Sequence, residues 1–244
     1  MNRLKYNNEN WHERDNHIFF DEGPHIYTHD KLGEMSSWTE TISSYFKPFD
    51  KEGVAEFVAQ RRGCSPESLI AEWEHQTELG TQLHANIEKF LLSLPYEESD
   101  VFWQFKNFFA QHPMKPFRTE WTIYDEDSRI AGTIDSLDFH VSNIMLDWKR
   151  SKNLIDRNGQ VITTSFKGET GLDILAHLPD CSYYHYAMQQ SGYKYILKKN
   201  YGIEVNDCWL VVFHPTLPNY RLIRLPYLEN EVKAILLQRA AVFK

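Results

Sequence analysis

The sequence is poor in cysteine and has no cysteine pair spaced to hold a metal. Cys64, Cys181 and Cys208 lie far apart in 244 residues, and none belongs to a C-x-x-C pair. A zinc site or an iron–sulfur cluster built on cysteine is therefore not expected. An odd number of scattered cysteines is typical of free thiols in a reducing compartment. This predicts an intracellular protein, cytoplasmic by default, with a viral or organellar origin left open.

Long apolar runs are also missing. Apolar runs such as residues 210–213 and 235–237 fall far short of the roughly 20 apolar residues that a membrane-spanning helix needs. The start of the chain is polar and charged, with no cationic segment leading into an apolar stretch. Neither a secretory signal nor association with a membrane is expected.

Positive charge is in deficit. Lys and Arg number 26 against 34 Asp and Glu, which gives a formal net charge of −8. A protein that binds phosphates through its surface charge alone normally has the opposite balance. Carboxylates clustered around bound cations escape this objection, because the cations reverse the local field. The acidic balance thus argues against a tight, purely electrostatic nucleic-acid binder more than against a metal-dependent enzyme.

The composition suits one packed domain over residues 1–244, with 42% hydrophobic and 14% aromatic residues. Apolar spacing and turn residues predict an N-terminal extension and helices in residues 1–115, followed by a β-rich core in residues 116–244. The coarse order, helix–strand–strand–strand–helix–strand, is typical of an α/β sandwich with a mixed sheet. Predicted helices cover residues 65–94, 97–111, 181–200 and 228–242, and predicted strands cover 25–28, 118–124, 129–138, 144–149, 208–213 and 220–225.

Two neighbouring predicted strands carry the residues with the clearest chemistry. One contains Gly132-Thr133-Ile134-Asp135 and the next Asp147-Trp148-Lys149. Because side chains alternate along a strand, Asp147 and Lys149 project from one face and Trp148 packs on the other. A turn near residues 142–143 brings Asp135 back to within a residue or two of Asp147. Two carboxylates in this arrangement can hold one or two Mg²⁺ ions, beside a lysine that orients or deprotonates a water.

Taken alone, this pattern also fits a surface ion pair. Further polar residues occur in order around it, and each has an ordinary alternative. His84 ends the helical stretch Gly80-Thr81-Gln82-Leu83-His84 and can point toward the sheet or into solvent. Glu120 lies on the preceding strand, where a solvent-facing glutamate is common. Gln189 and Tyr193 share a helix face as either site residues or a half-buried polar pair, and residues 38–42 fit a helix start.

Together, these motifs resemble the PD-(D/E)XK nuclease superfamily, in particular its RecB-type exonuclease branch, which includes mitochondrial and phage exonucleases. That branch shows a G-T-x-x-H helix, a strand glutamate, G-x-x-D, D-x-K and a helix with Q-x-x-x-Y. The resemblance covers about residues 20–235. It implies a restriction-endonuclease-like α-β-β-β-α-β core with a mixed central sheet flanked by helices, and places the catalytic core in residues 116–244. Ile134 replaces the proline of the superfamily's name, as is usual in this branch.

The resemblance also implies a role for each site residue. The cofactor would be Mg²⁺, with Mn²⁺ substituting, and no iron–sulfur cluster is predicted because the cysteine cluster of some relatives is missing. Lys149 would serve the attacking water, and Glu120 would complete the catalytic set of His84, Glu120, Asp135, Asp147 and Lys149. The metal ligands would be His84, Asp135, Asp147 and the backbone carbonyl of Trp148, and the contacts to nucleic acid would come from Arg150, Gln189 and Tyr193.

The implied function is Mg²⁺-dependent hydrolysis of phosphodiester bonds in DNA with a free end, in DNA repair or recombination. A helicase or an annealing protein would be the partner, and the oligomeric state stays open. One alternative is a structure- or sequence-specific endonuclease with the same catalytic residues. Others are a catalytically inactive nuclease-like module that binds DNA, and a purely structural α/β protein with solvated carboxylates.

Residues 153–179 are long for a connection in a compact domain, and such segments are usually functional or disordered. They follow directly after the basic run Lys149-Arg150-Ser151-Lys152. We expect them to form one wall of a nucleic-acid channel, with a hairpin packed on the surface as the alternative.

Overall fold

A mixed β-sheet runs through the middle of the molecule. The computed structural model describes residues 9–139 and 142–243, so the first eight residues of the predicted N-terminal extension lie outside the described residues. Within these ranges the sheet has eight strands. They are β1 (Ile18–Asp21), β2 (Ile26–His29), β3 (Gly33–Ser37), β4 (Pro116–Asp125), β5 (Ile130–Asp138), β6 (Ile144–Arg150), β7 (Asp207–Phe213) and β8 (Arg221–Arg224).

Helices cover the sheet, which confirms the expected mixed α/β architecture. The long third helix begins as predicted, because the Ser65 side chain accepts a hydrogen bond from the Ser68 backbone and Pro66 occupies the first helical turn. In the described ranges the α-helices are α1 (Trp38–Ser43), α2 (Lys51–Arg62), α3 (Pro66–Leu91), α4 (Phe102–Gln111), α5 (Ser182–Ile196) and α6 (Glu229–Ala240).

Strand β5 is the branch point of the sheet. One of its edges pairs with β4 along almost its whole length. The other edge pairs with β3 only at Ile130 and Ala131, and with β6 only at Ser136, Leu137 and Asp138. Between these two short ladders β6 separates from β5 and continues beside β7 in parallel. The sheet therefore forks at residues 132–135.

The two faces of the sheet carry separate apolar clusters. On one face, Met145, Leu210 and Val212 pack with side chains of α5 and α6 such as Met188 and Ile235. On the other, apolar side chains of β6 and β7 pack with residues of α3 and α4, in a cluster that includes Leu83, Phe105, Leu146, Trp148, Val211 and Phe213. Alternation along β6 thus places Asp147 and Lys149 on the α5 face and Trp148 on the α3 face, as predicted.

Several element bounds differ from the predicted ones. Helix α3 ends at Leu91 rather than near residue 94, and α4 begins at Phe102 rather than at residue 97. A loop with Pro95 lies between them, and proline disfavours helical geometry in the residue before it. The predicted helix over 181–200 becomes α5 followed by a π-helical turn at Leu197–Tyr201, which Gly202 ends with a φ of 66° as expected.

Helix α2 was not predicted from the sequence. It buries only Ala55 and Ala59, and these pack with Leu69 of α3 in a small cluster apart from the main core. Such a helix has no wide apolar stripe for periodicity to detect. Within the described part of the chain, none of the helices combines the length and the apolar character that crossing a membrane demands.

Candidate active site in the fork of the sheet

The fork brings Asp135 and Asp147 together. The ladder between β5 and β6 stops at Ser136↔Leu146. One further step in the same register would set Asp135 opposite Asp147. There the backbone N–H of Trp148 donates to Oδ2 of Asp135 at 2.9 Å instead of to a strand carbonyl. The side chain of Asp135 thus satisfies a donor that the separation of the strands leaves open.

Lys149 neutralises part of this carboxylate pair. Its Nζ lies 2.7 Å from Oδ2 of Asp147, which is 1% exposed, and 4.8 Å from the centre of the Tyr186 ring on α5. The other oxygen of Asp147, Oδ1, is buried and has no hydrogen-bond partner among the described residues. A buried carboxylate oxygen without a donor is costly, so this atom is available for a cation.

Burial is the largest single influence on the pKa of each of the three groups. It raises the pKa of Asp147 to about 6, with Lys149 opposing the shift and Asp135 adding to it. Burial also raises the pKa of Asp135, against the opposing effect of Lys149. Burial would lower the pKa of Lys149, but Asp147 and Asp135 outweigh it and raise that pKa, so the ammonium stays charged. Two crowded carboxylates and one ammonium leave negative charge in excess.

His84 approaches the fork from the other face of the sheet, on α3. Its Nδ1 lies 3.3 Å from Oδ2 of Asp135, within reach because β6 has separated from β5 at this level. Burial lowers the pKa of His84 to about 4, and the charge of Lys149 acts in the same direction. The imidazole is therefore neutral near pH 7, which is the form that binds a metal.

Glu120 joins the site through an unusual backbone conformation. It lies within β4 but has a φ of +44°, in the left-handed region that costs a non-glycine residue of order 1–3 kcal/mol. Its carboxylate, the carboxylate of Asp135 and the imidazole of His84 offer ligand atoms that all lie within 4.8 Å of one another. Backbone strain of this kind concentrates at functional sites, and here it coincides with a cluster able to hold a metal.

These residues fit a divalent cation. Carboxylate oxygens are the ligands that Mg²⁺ and Mn²⁺ prefer, and a neutral imidazole is compatible with Mn²⁺ and heavier metals. The cluster that fits most tightly consists of His84, Glu120 and Asp135. Asp147, which the sequence analysis placed among the ligands, pairs with Lys149 through Oδ2, and its Oδ1 has no hydrogen-bond partner among the described residues. Its role as a metal ligand stays a prediction.

Tyr193 and Gln189 of α5 lie over the fork. The Gln189 amide donates to the Tyr193 hydroxyl at 3.5 Å, and burial raises the pKa of Tyr193 well above its usual value. The ring packs directly on Gly132 of β5, where an added Cβ would meet ring atom Cε1 at 2.4 Å. Glycine in the G-x-x-D motif is thus explained by the close approach of this tyrosine.

Arg150 lines the same cleft but is already engaged. Its guanidinium donates to Oδ2 of Asp100 at 2.8 Å and to the Gln76 side chain. With 4% of its side chain exposed, it joins α3 to the loop before α4. A contact of Arg150 with nucleic acid stays a prediction.

Sequence reasoning missed one wall of the cleft. The cleft is also lined by Phe20, His25 and Tyr27, on the β1–β2 hairpin. Phe20 stacks on Tyr27 with ring centres 4.5 Å apart and meets His25 edge to face. No motif spacing marks these residues, because their place in the cleft depends on the two-residue ladder between β3 and β5.

No protein-family model matches the sequence, and no curated protein matches it. Among solved structures, the chain is similar to a candidate exonuclease from Eubacterium rectale, with a TM-score of 0.37 and 16% identity. The similarity covers 59% of this chain and 49% of the other, so it spans about half of that protein's length. A likeness of this size carries no argument about function, which must be inferred from the site itself.

Proposed function

We propose that the chain is a Mg²⁺-dependent DNA nuclease of the PD-(D/E)XK type, most simply an exonuclease of the RecB-type branch that its motifs resemble. The observation that carries the proposal is the fork in the sheet. It gathers Asp135, Lys149, His84 and Glu120 around one cleft, with Asp147 buried beside Lys149. A surface ion pair, the ordinary alternative for D-x-K, does not fit a carboxylate that is 1% exposed.

The charge of the site supports a cation there. The carboxylates of Asp135 and Asp147 lie close together beside one ammonium and one neutral imidazole, and proteins rarely bury like charges without a compensating partner. A divalent cation bound by these residues would polarise the scissile phosphate and lower the pKa of a water molecule. We assign the ligands to His84, Glu120 and Asp135, with Asp147 Oδ1 and the Trp148 carbonyl as further candidates.

The remaining residues have roles that follow from their surroundings. Lys149 is charged and lies beside both aspartates, so it can orient the attacking water and offset charge that develops on the phosphate. Its charged state makes orientation a better role than proton abstraction. The phenol of Tyr193 stays protonated and can donate a hydrogen bond to a phosphate oxygen, with Gln189 holding it in place.

The preference for DNA with a free end, and a helicase or annealing protein as partner in repair or recombination, rest on the motif resemblance alone. End-labelled linear DNA and closed circular DNA, each incubated with Mg²⁺, with Mn²⁺ and with EDTA, test the proposal. We expect the linear DNA to be shortened with either metal, and EDTA to stop the reaction. Cleavage of the circle would replace the exonuclease with an endonuclease, and no cleavage of either substrate would refute the nuclease.

A further inference from the structure

A second cavity lies where the chain leaves the catalytic strand. It is lined by the segment that follows β6 and by the loop between β7 and β8. Because β6 and β7 are parallel neighbours, their carboxyl ends emerge at the same edge of the sheet. Three positively charged side chains line the cavity, and we call it the exit pocket: Lys152, Arg157 and Arg221.

None of these three side chains forms an ion pair with a carboxylate of the described residues. Their neighbours in sequence do: Lys149 pairs with Asp147, Arg150 with Asp100 and Arg224 with Asp207. In a chain with eight more acidic than basic residues, three unpaired cations around one cavity call for an anionic partner. The three side chains are exposed, so solvent screens part of their mutual repulsion, and a bound anion lowers it further.

The pocket is built on an ordered hairpin. Ile155 and Val161 form a β-bridge, and the Asp156 carboxylate accepts hydrogen bonds from the backbone N–H groups of Asn158 and Gln160, both at 2.8 Å. The carboxylate of Asp156, the acidic residue of the lining, therefore accepts its hydrogen bonds from the backbone of its own turn. Arg221 donates to the Gly159 carbonyl at 2.7 Å, which anchors the hairpin to β8.

The exit pocket is close to the fork. Lys152 follows Lys149 by three residues, so their Cα atoms are at most about 11 Å apart. Successive nucleotides of a helical strand are spaced by about 3.4 Å along its axis. A strand held with its scissile phosphate at Lys149 would therefore present a phosphate about three nucleotides away to Lys152, and Arg157 lines the same pocket.

We propose that the exit pocket binds backbone phosphates of the nucleic acid, adjacent to the bond that is cleaved. The inference rests on the proposed nuclease function and gives residues 153–161 a place in the substrate channel. It also explains how a chain with net charge −8 can hold a polyanion. Three cations that form no ion pair with the described residues are grouped there, beside the end of the catalytic strand.

The test compares two variants with the same change in charge. Lys152→Gln/Arg157→Gln removes two pocket cations and leaves the Arg221 anchor intact. Lys31→Gln/Lys115→Gln removes two exposed lysines that line neither the pocket nor the catalytic cleft. Binding of a fluorescein-labelled oligonucleotide, single-stranded or duplex, is measured against salt concentration with Ca²⁺ replacing Mg²⁺.

We expect the pocket variant to lose about 1.4–1.8 from the slope of log Kobs against log salt, since each phosphate contact contributes about 0.7–0.9. Its KM should rise about tenfold with kcat within twofold, and the control variant should match the wild type. A slope and KM equal to those of the control would overturn the pocket. If inorganic phosphate raises the wild-type Tm more than that of the pocket variant while the slopes agree, the pocket binds free phosphate only, which also overturns the proposal.

The outcomes separate this inference from the proposed function. If the wild type cleaves DNA and the pocket variant matches the control variant in salt slope and KM, the exit-pocket proposal is rejected and the nuclease proposal is kept. Wild-type protein that binds the oligonucleotide but never cleaves it rejects the nuclease, and the salt slopes then still decide the pocket. A wild type that does not bind the oligonucleotide rejects both.

Discussion

Lys149 is the residue whose role depends most on its immediate neighbours. Its Nζ lies 2.7 Å from Asp147 and over the Tyr186 ring, so the ammonium is fixed in position as well as in charge. A compact cation held between two carboxylates can contact a water and a phosphate oxygen together. A planar guanidinium is larger and distributes its donors differently.

We therefore expect Lys149→Ala to lower kcat by roughly a hundredfold or more with KM for DNA little changed. Lys149→Arg should not restore the rate, although it restores the charge. Steady-state cleavage of linear DNA with Mg²⁺ provides both constants, and thermal unfolding of each variant shows whether the fold survives. Recovery of the rate with arginine would reduce Lys149 to a general electrostatic partner.

The site residues also show which features of the site can be predicted from the sequence. The shared face of Asp147 and Lys149 and the proximity of Asp135 were predictable, because strand alternation and one short turn determine them. The left-handed conformation of Glu120 was not, since φ at one strand residue depends on packing that no local pattern encodes. Nor does any spacing place Tyr186 under Lys149, because α5 meets the sheet only after the long connection that follows β6.

At the scale of elements, the site depends on how closely helices approach the fork. Gly132 in β5 and Gly80 in α3 both belong to motifs near the cleft, but the space around their Cα atoms differs. A Cβ at Gly132 would meet Tyr193 at 2.4 Å, and a Cβ at Gly80 would meet nothing within 4 Å. The two glycines therefore form a matched pair for substitution by alanine.

Gly132→Ala should destabilise the protein by about 1–3 kcal/mol, because the buried Tyr193 ring must move. Gly80→Ala should stabilise it by up to about 1 kcal/mol, since alanine favours a helix interior more than glycine. Thermal unfolding measures both, and Tm should fall for the first variant and rise by a few degrees for the second. Equal shifts would mean that the contact between Tyr193 and Gly132 is not tight.

The elements that escaped prediction share a physical reason. Helix α2 packs on α3 through two alanines and needs no apolar stripe. Strand β3 reaches β5 through only two residue pairs, Ser36↔Ile130 and Ser37↔Ala131, and its polar sequence lacks the alternation of a half-buried strand. Both are defined by tertiary contacts, which local periodicity does not record.

At the scale of the whole molecule, one buried acid links distant segments. Asp125 at the end of β4 is 1% exposed and accepts hydrogen bonds from Ser128, Lys199 and Asn200. Burial would raise its pKa, but these partners outweigh burial and lower it. A lowered carboxyl pKa gives stability that is present above the unfolded value, near 3.9, and is lost as pH falls through the folded value.

Lys199→Met should therefore cost about 1–2 kcal/mol at pH 7. This is less than the 3–5 kcal/mol of a fully buried pair, because Lys199 is 34% exposed and two other donors remain. The difference in unfolding free energy between wild type and variant should shrink below about pH 4 as Asp125 is protonated. Urea unfolding at several pH values measures it, and a difference that does not change with pH would show that the charge of Asp125 is not responsible.

The whole account depends on a cation-dependent site at the fork, and Asp147 tests it most directly. Asp147→Asn keeps the shape of the side chain but removes its negative charge and one carboxylate oxygen. The fold should survive, because relief of repulsion with Asp135 offsets the weakened contact with Lys149.

The decisive measurement is the rate of linear DNA cleavage with Mg²⁺ by wild type and by this variant, with thermal unfolding as the check on folding. The account predicts a rate lower by about a thousandfold or more, equivalent to several kcal/mol of lost charge stabilisation. A folded Asp147→Asn variant that cleaves within twofold of the wild-type rate would contradict it.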